Sequence, residues 1–231
     1  RVENADSINQ LSRGIRLLRE IGSWAFQGKG ALTFGITSAM VFSRSREGLS
    51  SPDIQLLFTP ASYSQKTHGE LEKEGGMTVV VCPVRPSSRG TIMAKSSDPF
   101  IRPLIRPNYF SDPDDIRVMI AGFRQARAIL AQPAFKPFSV EETVPGQMLQ
   151  SDDELEKFAR DNGSIIYHPV STCKMGEDPM AVVDSRLKVH GIEGLRVVDA
   201  SIMPTVTTGN TNAPTIMIAE KASDMILEDA K

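Results

Sequence analysis

The order of apolar patterns along the chain limits its fold more than any other feature of the sequence. Two runs rich in β-branched and other apolar residues, Asp53–Phe58 and Met77–Val84, predict strands, and Ala39–Phe42 is strand-like. A short run at Thr91–Ala94 follows a turn and is expected to pair antiparallel with Met77–Val84. The clearest helical patterns come after these strands, and strands and helices alternate little along the chain. This order favours an α+β fold, in which helices cover a mainly antiparallel sheet.

Three segments carry the periodicity of amphipathic helices. The clearest is Asp114–Leu130, whose apolar positions recur every three or four residues. Ser151 and Glu154 form a capping box, which predicts the start of another helix. Ser7 is expected to cap the first helix, whose apolar positions run from Ile8 to Ile21. Each helix therefore has one face suited to packing on a sheet.

Composition excludes several classes of function. The chain has 231 residues, and its 26 basic and 28 acidic residues give a net charge of −2, which offers no electrostatic basis for binding nucleic acid. It has no apolar run of about 18 residues, so no membrane span is expected. Cys82 and Cys173 form neither a C-x-x-C site nor a disulfide framework, and a reducing, cytoplasmic location is the default expectation. The carboxylates of Asp112–Asp115 suit the acidic start of a helix, and no metal site is expected.

A histidine and an aspartate each follow an apolar run in the second half of the chain. Ser164–Tyr167 contains two isoleucines and predicts a strand that delivers His168 at its end. Leu195–Val198 predicts a second strand, which ends at Asp199. Strand ends are common positions for functional side chains, so both residues are candidates for a site.

The loop after these runs leads into a terminal helix. It contains Asn210, and Asn212 is predicted to cap the helix, since Pro214 suits a first helical turn. His168 and Asn210 are distant in sequence and can meet only through the fold.

Three segments in this part of the chain together resemble a known signature. They read YHPVSTCKMG, AVVDSRLKVHGIEGLRVVDASIMP and TGNTNAP. This order is similar to the carboxyl-terminal signature of the glucose-methanol-choline (GMC) oxidoreductases, flavin enzymes that oxidise alcohols. Cys82–Ile92, Ser96–Asp115 and Ala126–Phe135 resemble substrate-domain segments of the bacterial choline-dehydrogenase-like members. The resemblance covers nearly the whole chain and is weakest before Arg44.

The resemblance implies a division into two domains. Residues 1–158 would form mainly the substrate-binding domain, with the antiparallel sheet. Residues 159–231 would supply the carboxyl-terminal strands and helix of an FAD-binding α/β (Rossmann-like) domain. The family binds the dinucleotide on an amino-terminal G-x-G-x-x-G turn, and Gly28, Gly30 and Gly35 do not have that spacing. The amino-terminal FAD-binding portion is therefore expected in a separate chain, a fragment or another segment.

The resemblance also implies roles for individual residues. An alcohol oxidation by FAD needs a base for the hydroxyl proton, and an imidazole can accept a proton near neutral pH. His168 occupies the position of the family's catalytic histidine, and Asn210 that of its second active-site residue, whose amide can bind an oxygen but cannot act as a base. The residues expected to bind the cofactor are Tyr167, Asp199, Ala200, Asn212 and Ala213.

Alternatives stay open for the residues and for the function. A lone histidine after a strand is more often a structural group than a catalyst, Asp199 could simply end a strand, and Asn212 could simply cap a helix. His68 is expected to be solvated, and His190 to be structural or on the surface. The family also includes hydroxynitrile lyases, which bind the flavin without redox use, and a non-catalytic fragment is a further possibility.

Overall fold

A computed structural model describes residues 1–33, 35–64 and 69–231. The α-helices in these ranges are α1 (Ile8–Leu11), α2 (Gly14–Gln27), α3 (Pro113–Leu130), α4 (Asp152–Asn162) and α5 (Asn212–Asp229). The strands are β1 (Ala39–Ser43), β2 (Ile54–Thr59), β3 (Thr78–Pro83), β4 (Thr91–Met93) and β5 (Leu104–Arg106). Short 3-10 helices cover Ala31–Thr33, Pro133–Phe138 and Ala200–Ile202.

The first sheet has the order β1-β2-β3, and both pairs are antiparallel. Its central strand β2 is the most buried, because Ile54 and Leu56 are fully covered. All three strands lie where the β-branched and apolar runs predict them. The expected mixture of helices and antiparallel sheet is therefore confirmed.

The second sheet corrects one predicted pairing. Strand β4 pairs antiparallel with β5, and not with β3 as the sequence led us to expect. The link before β4 is not a tight hairpin turn, since the N–H groups of Ser87 and Ser88 donate to the Asp115 carboxylate at 2.7 and 2.9 Å. Both strands of this sheet are exposed along their whole length, and Ile105 is 66% exposed.

Helix α3 packs against the first sheet through a position without a side chain. Ile54, Leu56 and Ala126 form the buried centre of this contact. A Cβ atom added at Gly122 would lie 2.3 Å from Cγ1 of Val81 on β3. The helix therefore approaches the strand more closely than any other residue at this position would allow.

The helix predicted to start at Ser7 is divided in two. Helix α1 ends at Leu11, and α2 begins at Gly14, whose φ of 55° lies in the left-handed region. The periodicity is real on both sides of this break, but the backbone conformation of Gly14 interrupts the helix. Helix α2 leaves its apolar positions largely uncovered, with Leu18 63% and Trp24 52% exposed in the described structure.

The chain divides into two compact units, the first formed by Arg1–Pro83 and Arg117–Asp161 and the second by Val84–Ile116 and Asn162–Lys231. The core of the second unit includes Val183, Leu187, Ile202, Met203, Ile218 and Ala222, the last two from α5. The assignment of residues 1–158 to a substrate domain and of 159–231 to a flavin domain stays a prediction. None of the helices in the described ranges is long and apolar enough to cross a membrane.

The end of α5 is held by a cluster of ion pairs within the second unit. Asp229 pairs with Lys188 at 2.6 Å, with Arg186 at 2.8 Å and with Arg196. These three cations stand on the segment that follows the core residue Val183. Together with the core contacts of Ile218 and Ala222, they attach both halves of the helix to the unit.

Candidate active site

His168 lies on an irregular segment, so the strand predicted for Ser164–Tyr167 is wrong. The backbone of Tyr167 turns with a φ of 61°, and its side chain is 72% exposed. A run of β-branched residues becomes a strand only when a neighbouring strand pairs with its backbone groups. The described structure assigns no strand here, and His168 stands half-buried just after the turn.

Two side chains immediately before α5 contact the imidazole of His168. The amide Nδ2 of Asn210 lies 2.9 Å from Nε2, and Oγ1 of Thr211 lies 2.9 Å from Nδ1. Both ring nitrogens are therefore engaged, and each is engaged by a different neighbour. The fold brings together the histidine and the asparagine that the motifs predicted.

These contacts define the neutral tautomer that satisfies the ring. An amide N–H₂ group only donates, so Nε2 accepts from Asn210 with its lone pair. Nδ1 then carries the ring hydrogen and donates it to the Thr211 hydroxyl oxygen. The lone pair of Nε2 consequently points toward Asn210, and another donor can reach it only by replacing that contact.

Hydrogen bonds to backbone carbonyls attach the segment after His168 to residues 201–204. The hydroxyl of Ser171 donates to the carbonyl of Met203 at 2.7 Å, and the N–H of Met175 donates to the carbonyl of Ile202 at 2.8 Å. Met203 and Ile202 belong to the buried core of the second unit. The position of His168 is thus set by a core element and not by a strand of its own.

The start of α5 differs by one residue from the prediction. Thr211 is the N-cap and Asn212 is the first helical residue, so the prediction that Asn212 caps the helix is wrong. Pro214 stands in the first turn, as predicted. The hydroxyl of Thr211 makes no capping hydrogen bond, since it contacts His168 instead. Asn212 and Ala213 are exposed at this end of the helix.

Asp199 and Ala200 have local contacts of their own. The strand predicted for Leu195–Val198 is wrong, because only a single bridge forms there, between Arg196 and Lys188. Asp199 caps the short 3-10 helix Ala200–Ile202, and its carboxylate accepts from the N–H of Ser201 at 2.8 Å. The capping role is structural, and a role of either residue in cofactor binding stays a prediction.

Other candidate groups have structural surroundings. Nε2 of His190 contacts the carbonyl of Gly176 at 3.0 Å, as expected for a structural histidine. Burial raises the pKa of the Cys82 thiol to about 11, while Cys173 is half-buried. His68 lies outside the described residues. No group of three potential metal ligands occurs in the described part of the chain.

Thr211 is the residue near His168 that the sequence reasoning missed. A threonine before a helix normally indicates a cap, and the NTNAP motif drew attention to its two asparagines. Nothing in the pattern indicates that the hydroxyl contacts an imidazole 43 residues earlier in the chain.

Comparison with known proteins identifies the family. The family model described as GMC oxidoreductase matches residues 86–219, which include His168, Asn210 and the segments around them. The chain belongs to the GMC oxidoreductase family. The predicted family resemblance is therefore confirmed.

Two relatives of this GMC oxidoreductase chain are similar over most of its length. An alcohol dehydrogenase [acceptor] of Pseudomonas putida is 46% identical over 206 residues, covering 89% of this chain and 37% of that protein. An oxygen-dependent choline dehydrogenase of Yersinia pseudotuberculosis is 46% identical over 203 residues, covering 88% of this chain and 36% of that protein. The chain thus spans little more than a third of the length of these relatives.

Solved structures agree with this family assignment. A formate oxidase of Aspergillus oryzae, examined for FAD modification, matches with a TM-score of 0.87 at 28% identity, over 99% of this chain and 45% of that one. A fungal aryl-alcohol oxidase matches with a TM-score of 0.66 at 31% identity, over 78% of this chain and 28% of that one.

Proposed function

We propose that the GMC oxidoreductase containing these residues oxidises an alcohol to an aldehyde or ketone with FAD, and that His168 is its base. The observation that carries the proposal is the 2.9 Å contact between Nε2 of His168 and Nδ2 of Asn210. Because these atoms face each other, a substrate oxygen that replaces their direct contact meets a proton acceptor and a hydrogen-bond donor at once.

The division of labour between the two side chains follows from their chemistry. Nε2 of His168 has the lone pair and takes the hydroxyl proton of the alcohol. Nδ1 keeps its own hydrogen and donates it to the hydroxyl oxygen of Thr211. The amide of Asn210 has no basic nitrogen at ordinary pH, so it holds and orients the substrate oxygen. The bound FAD supplies the acceptor for the hydride that leaves the carbon.

The first turn of α5 suits a flavin. The Thr211 hydroxyl does not cap this 18-residue helix, so the first N–H groups face outward without a side-chain cap. A helix amino terminus favours an electron-rich partner, which a flavin carbonyl provides. We assign Asn212 and Ala213 to this contact, and assign Tyr167, Asp199 and Ala200 to the remainder of the cofactor site.

The exposed apolar surfaces favour a further partner for this chain. Helix α2 leaves Leu18 and Trp24 exposed, and the β4-β5 sheet leaves Ile105 exposed. Exposed apolar side chains of this size are typical of interaction sites, and a two-stranded sheet is marginally stable alone. We propose that the amino-terminal FAD-binding portion of the enzyme, which carries the G-x-G-x-x-G turn, covers these surfaces.

Oxidation is favoured over a lyase reaction by the relatives, which are named as dehydrogenases. An anaerobic bleaching experiment on the full flavoprotein separates the two reactions, with primary aliphatic alcohols and choline as substrates. The oxidising enzyme loses its yellow flavin absorbance when a true substrate is added. A lyase would cleave a cyanohydrin with the flavin still oxidised, and a non-catalytic protein would do neither.

The role of the base is tested by His168→Ala. We expect the rate of flavin reduction to fall by about 10² to 10⁴, the usual contribution of a positioned base, with flavin still bound. His190→Ala is the matched control, because it removes an imidazole from the same unit that contacts only a structural carbonyl in the described geometry. Near-normal flavin reduction by the His168 variant would remove this residue from the mechanism.

The role of the amide is tested at the same step. Asn210→Ala should raise the barrier by about 1–3 kcal/mol, less than the loss of the base, because one hydrogen bond to the substrate oxygen disappears. Asn210→His should keep activity, since an imidazole can also donate to that oxygen. If Asn210→Ala behaves as wild type while Asn212→Ala abolishes turnover with flavin retained, Asn212 is the residue that faces the substrate.

A further inference from the structure

We propose that Thr211 is a positioning residue for His168, whose hydroxyl holds the imidazole with Nε2 directed at the substrate. The inference rests on the proposed role of His168 as the base. It adds a third side chain to the site, one that would act through the histidine and not on the substrate.

The contact is short and sheltered. Oγ1 of Thr211 lies 2.9 Å from Nδ1 of His168, and Thr211 is only 6% exposed. Water therefore has little access to this side of the ring and cannot easily replace the hydroxyl. By contrast, Asn210, on the other side of the ring, is exposed, which leaves that side open to a ligand.

The geometry of α5 supports a role beyond capping. Thr211 occupies the N-cap position, but its backbone is αR, with φ −90° and ψ −3°, where a capping residue is usually extended. Its side chain makes no capping bond, and its carbonyl accepts from the N–H of Thr215 at 3.0 Å and from the Thr215 hydroxyl at 2.7 Å. The helix therefore fixes the backbone of Thr211, and the side-chain hydroxyl is available to form a hydrogen bond with the imidazole of His168.

The Thr211 hydroxyl can accept a hydrogen bond from both the neutral and the protonated imidazole of His168. When His168 is neutral, Nδ1–H donates to Oγ1. When Nε2 has taken a proton from the alcohol, Nδ1–H still donates to the same oxygen, so the ring need not turn during the transfer. A residue without an acceptor at position 211 would leave a buried N–H unpaired, and this cost would be greater for the charged ring.

The experiment compares three variants of the full flavoprotein. Thr211→Val keeps the shape of the side chain and removes the hydroxyl, whereas Thr211→Ser keeps the hydroxyl. Ser223→Ala removes an exposed hydroxyl further along α5 that donates to the carbonyl of Ala219 at 2.9 Å, and it serves as the matched control. We expect kcat for alcohol oxidation to fall about 10- to 100-fold in Thr211→Val, the effect of losing one hydrogen bond to a charged group, with KM nearly unchanged. Thr211→Ser should recover most of the rate, and Ser223→Ala should match wild type.

A second readout does not depend on turnover. The ¹⁵N shifts of histidine side chains report which ring nitrogen carries the hydrogen, and the signal lost in His168→Ala identifies His168. We expect the Nδ1–H tautomer to dominate in wild type and Thr211→Ser, and to lose that dominance in Thr211→Val. The far-ultraviolet circular dichroism of all variants should be unchanged, because the hydroxyl does not cap the helix.

The outcomes separate this inference from the proposed function. Thr211→Val with wild-type kcat and wild-type ¹⁵N shifts would overturn the positioning role, even if His168→Ala abolishes reduction. A fall in kcat that Thr211→Ser does not recover would also overturn it, because the loss would then come from packing. If His168→Ala leaves reduction intact, the proposed base is wrong, whereas a tautomer change in Thr211→Val would still support the contact.

Discussion

A single added methyl group should have opposite effects on two helices of this protein. Gly122 on α3 lies against β3, so that a Cβ atom there would stand 2.3 Å from Cγ1 of Val81. Gly22 on α2 has no atom within 4 Å of the corresponding position. We expect Gly122→Ala to destabilise the protein and Gly22→Ala to stabilise it.

The magnitude follows from the missing space. Carbon atoms in contact normally stand about 3.5–4.0 Å apart, so the new methyl and Val81 would be more than 1 Å too close. Valine is stiff at χ1 and cannot easily turn away, and overpacking of this kind costs about 1–3 kcal/mol. Alanine regains about 1 kcal/mol of helix propensity over glycine. A net loss of up to about 2 kcal/mol is expected for Gly122→Ala, and a gain of up to about 1 kcal/mol for Gly22→Ala.

Urea unfolding followed by circular dichroism measures both effects as changes in the free energy of unfolding. The mechanism is isolated by Val81→Ala, which removes the clashing Cγ1. In that background Gly122→Ala should cost nothing, or should stabilise by as much as Gly22→Ala does. If Gly122→Ala destabilises equally with and without Val81, close packing against β3 is not the reason for the glycine.

Two further predictions concern titrating groups. The hydrogen bond from Lys188, followed by that from Arg186, lowers the pKa of Asp229 to about 2, so its stabilising effect is present above the ordinary value near 4 and is lost as pH falls toward 2. Asp229→Asn should therefore lower the melting temperature at pH 7 and reduce the difference in melting temperature between pH 7 and pH 3. An equal reduction on replacing an exposed acidic residue outside any ion pair would contradict this. Cys82, whose pKa burial raises to about 11, should resist iodoacetamide at pH 8 in the folded protein and react once urea is added, whereas half-buried Cys173 should react first.

The elements that the sequence predicted well are those whose own residues contain the signal. Strands β1 to β3 and helices α3 and α4 have periodicity, caps and breakers within their own boundaries. The pairing of β4 with β5 was missed because it joins strands across a long connection, and because Asp115 engages the turn before β4 from outside it. Leu195–Val198 has the composition of a strand but only one bridge, since pairing depends on neighbours that composition does not reveal.

In the candidate site, too, the residues marked by local motifs were predicted, whereas a contact that depends on the tertiary fold was not. His168 and Asn210 were predicted from motifs, and the fold brings them to 2.9 Å of each other. Thr211 stands between two asparagines that the motif emphasises, and its contact with His168 depends on how α5 packs on the core. The cap was placed one residue late because both Thr211 and Asn212 are residue types that cap helices well.

The uncovered apolar side chains of α2 and the β4-β5 sheet affect how unfolding of this chain is best followed. Environment-sensitive dyes such as anilinonaphthalene sulfonate fluoresce when they bind exposed apolar surface. With Phe26 of α2 90% exposed and Ile105 of β5 66% exposed, the folded chain would already bind such a dye. A dye-based melting curve would begin from a high signal and show a weak or inverted transition, which an observer would wrongly attribute to an unfolded sample. Ellipticity has no such background and would report the true transition.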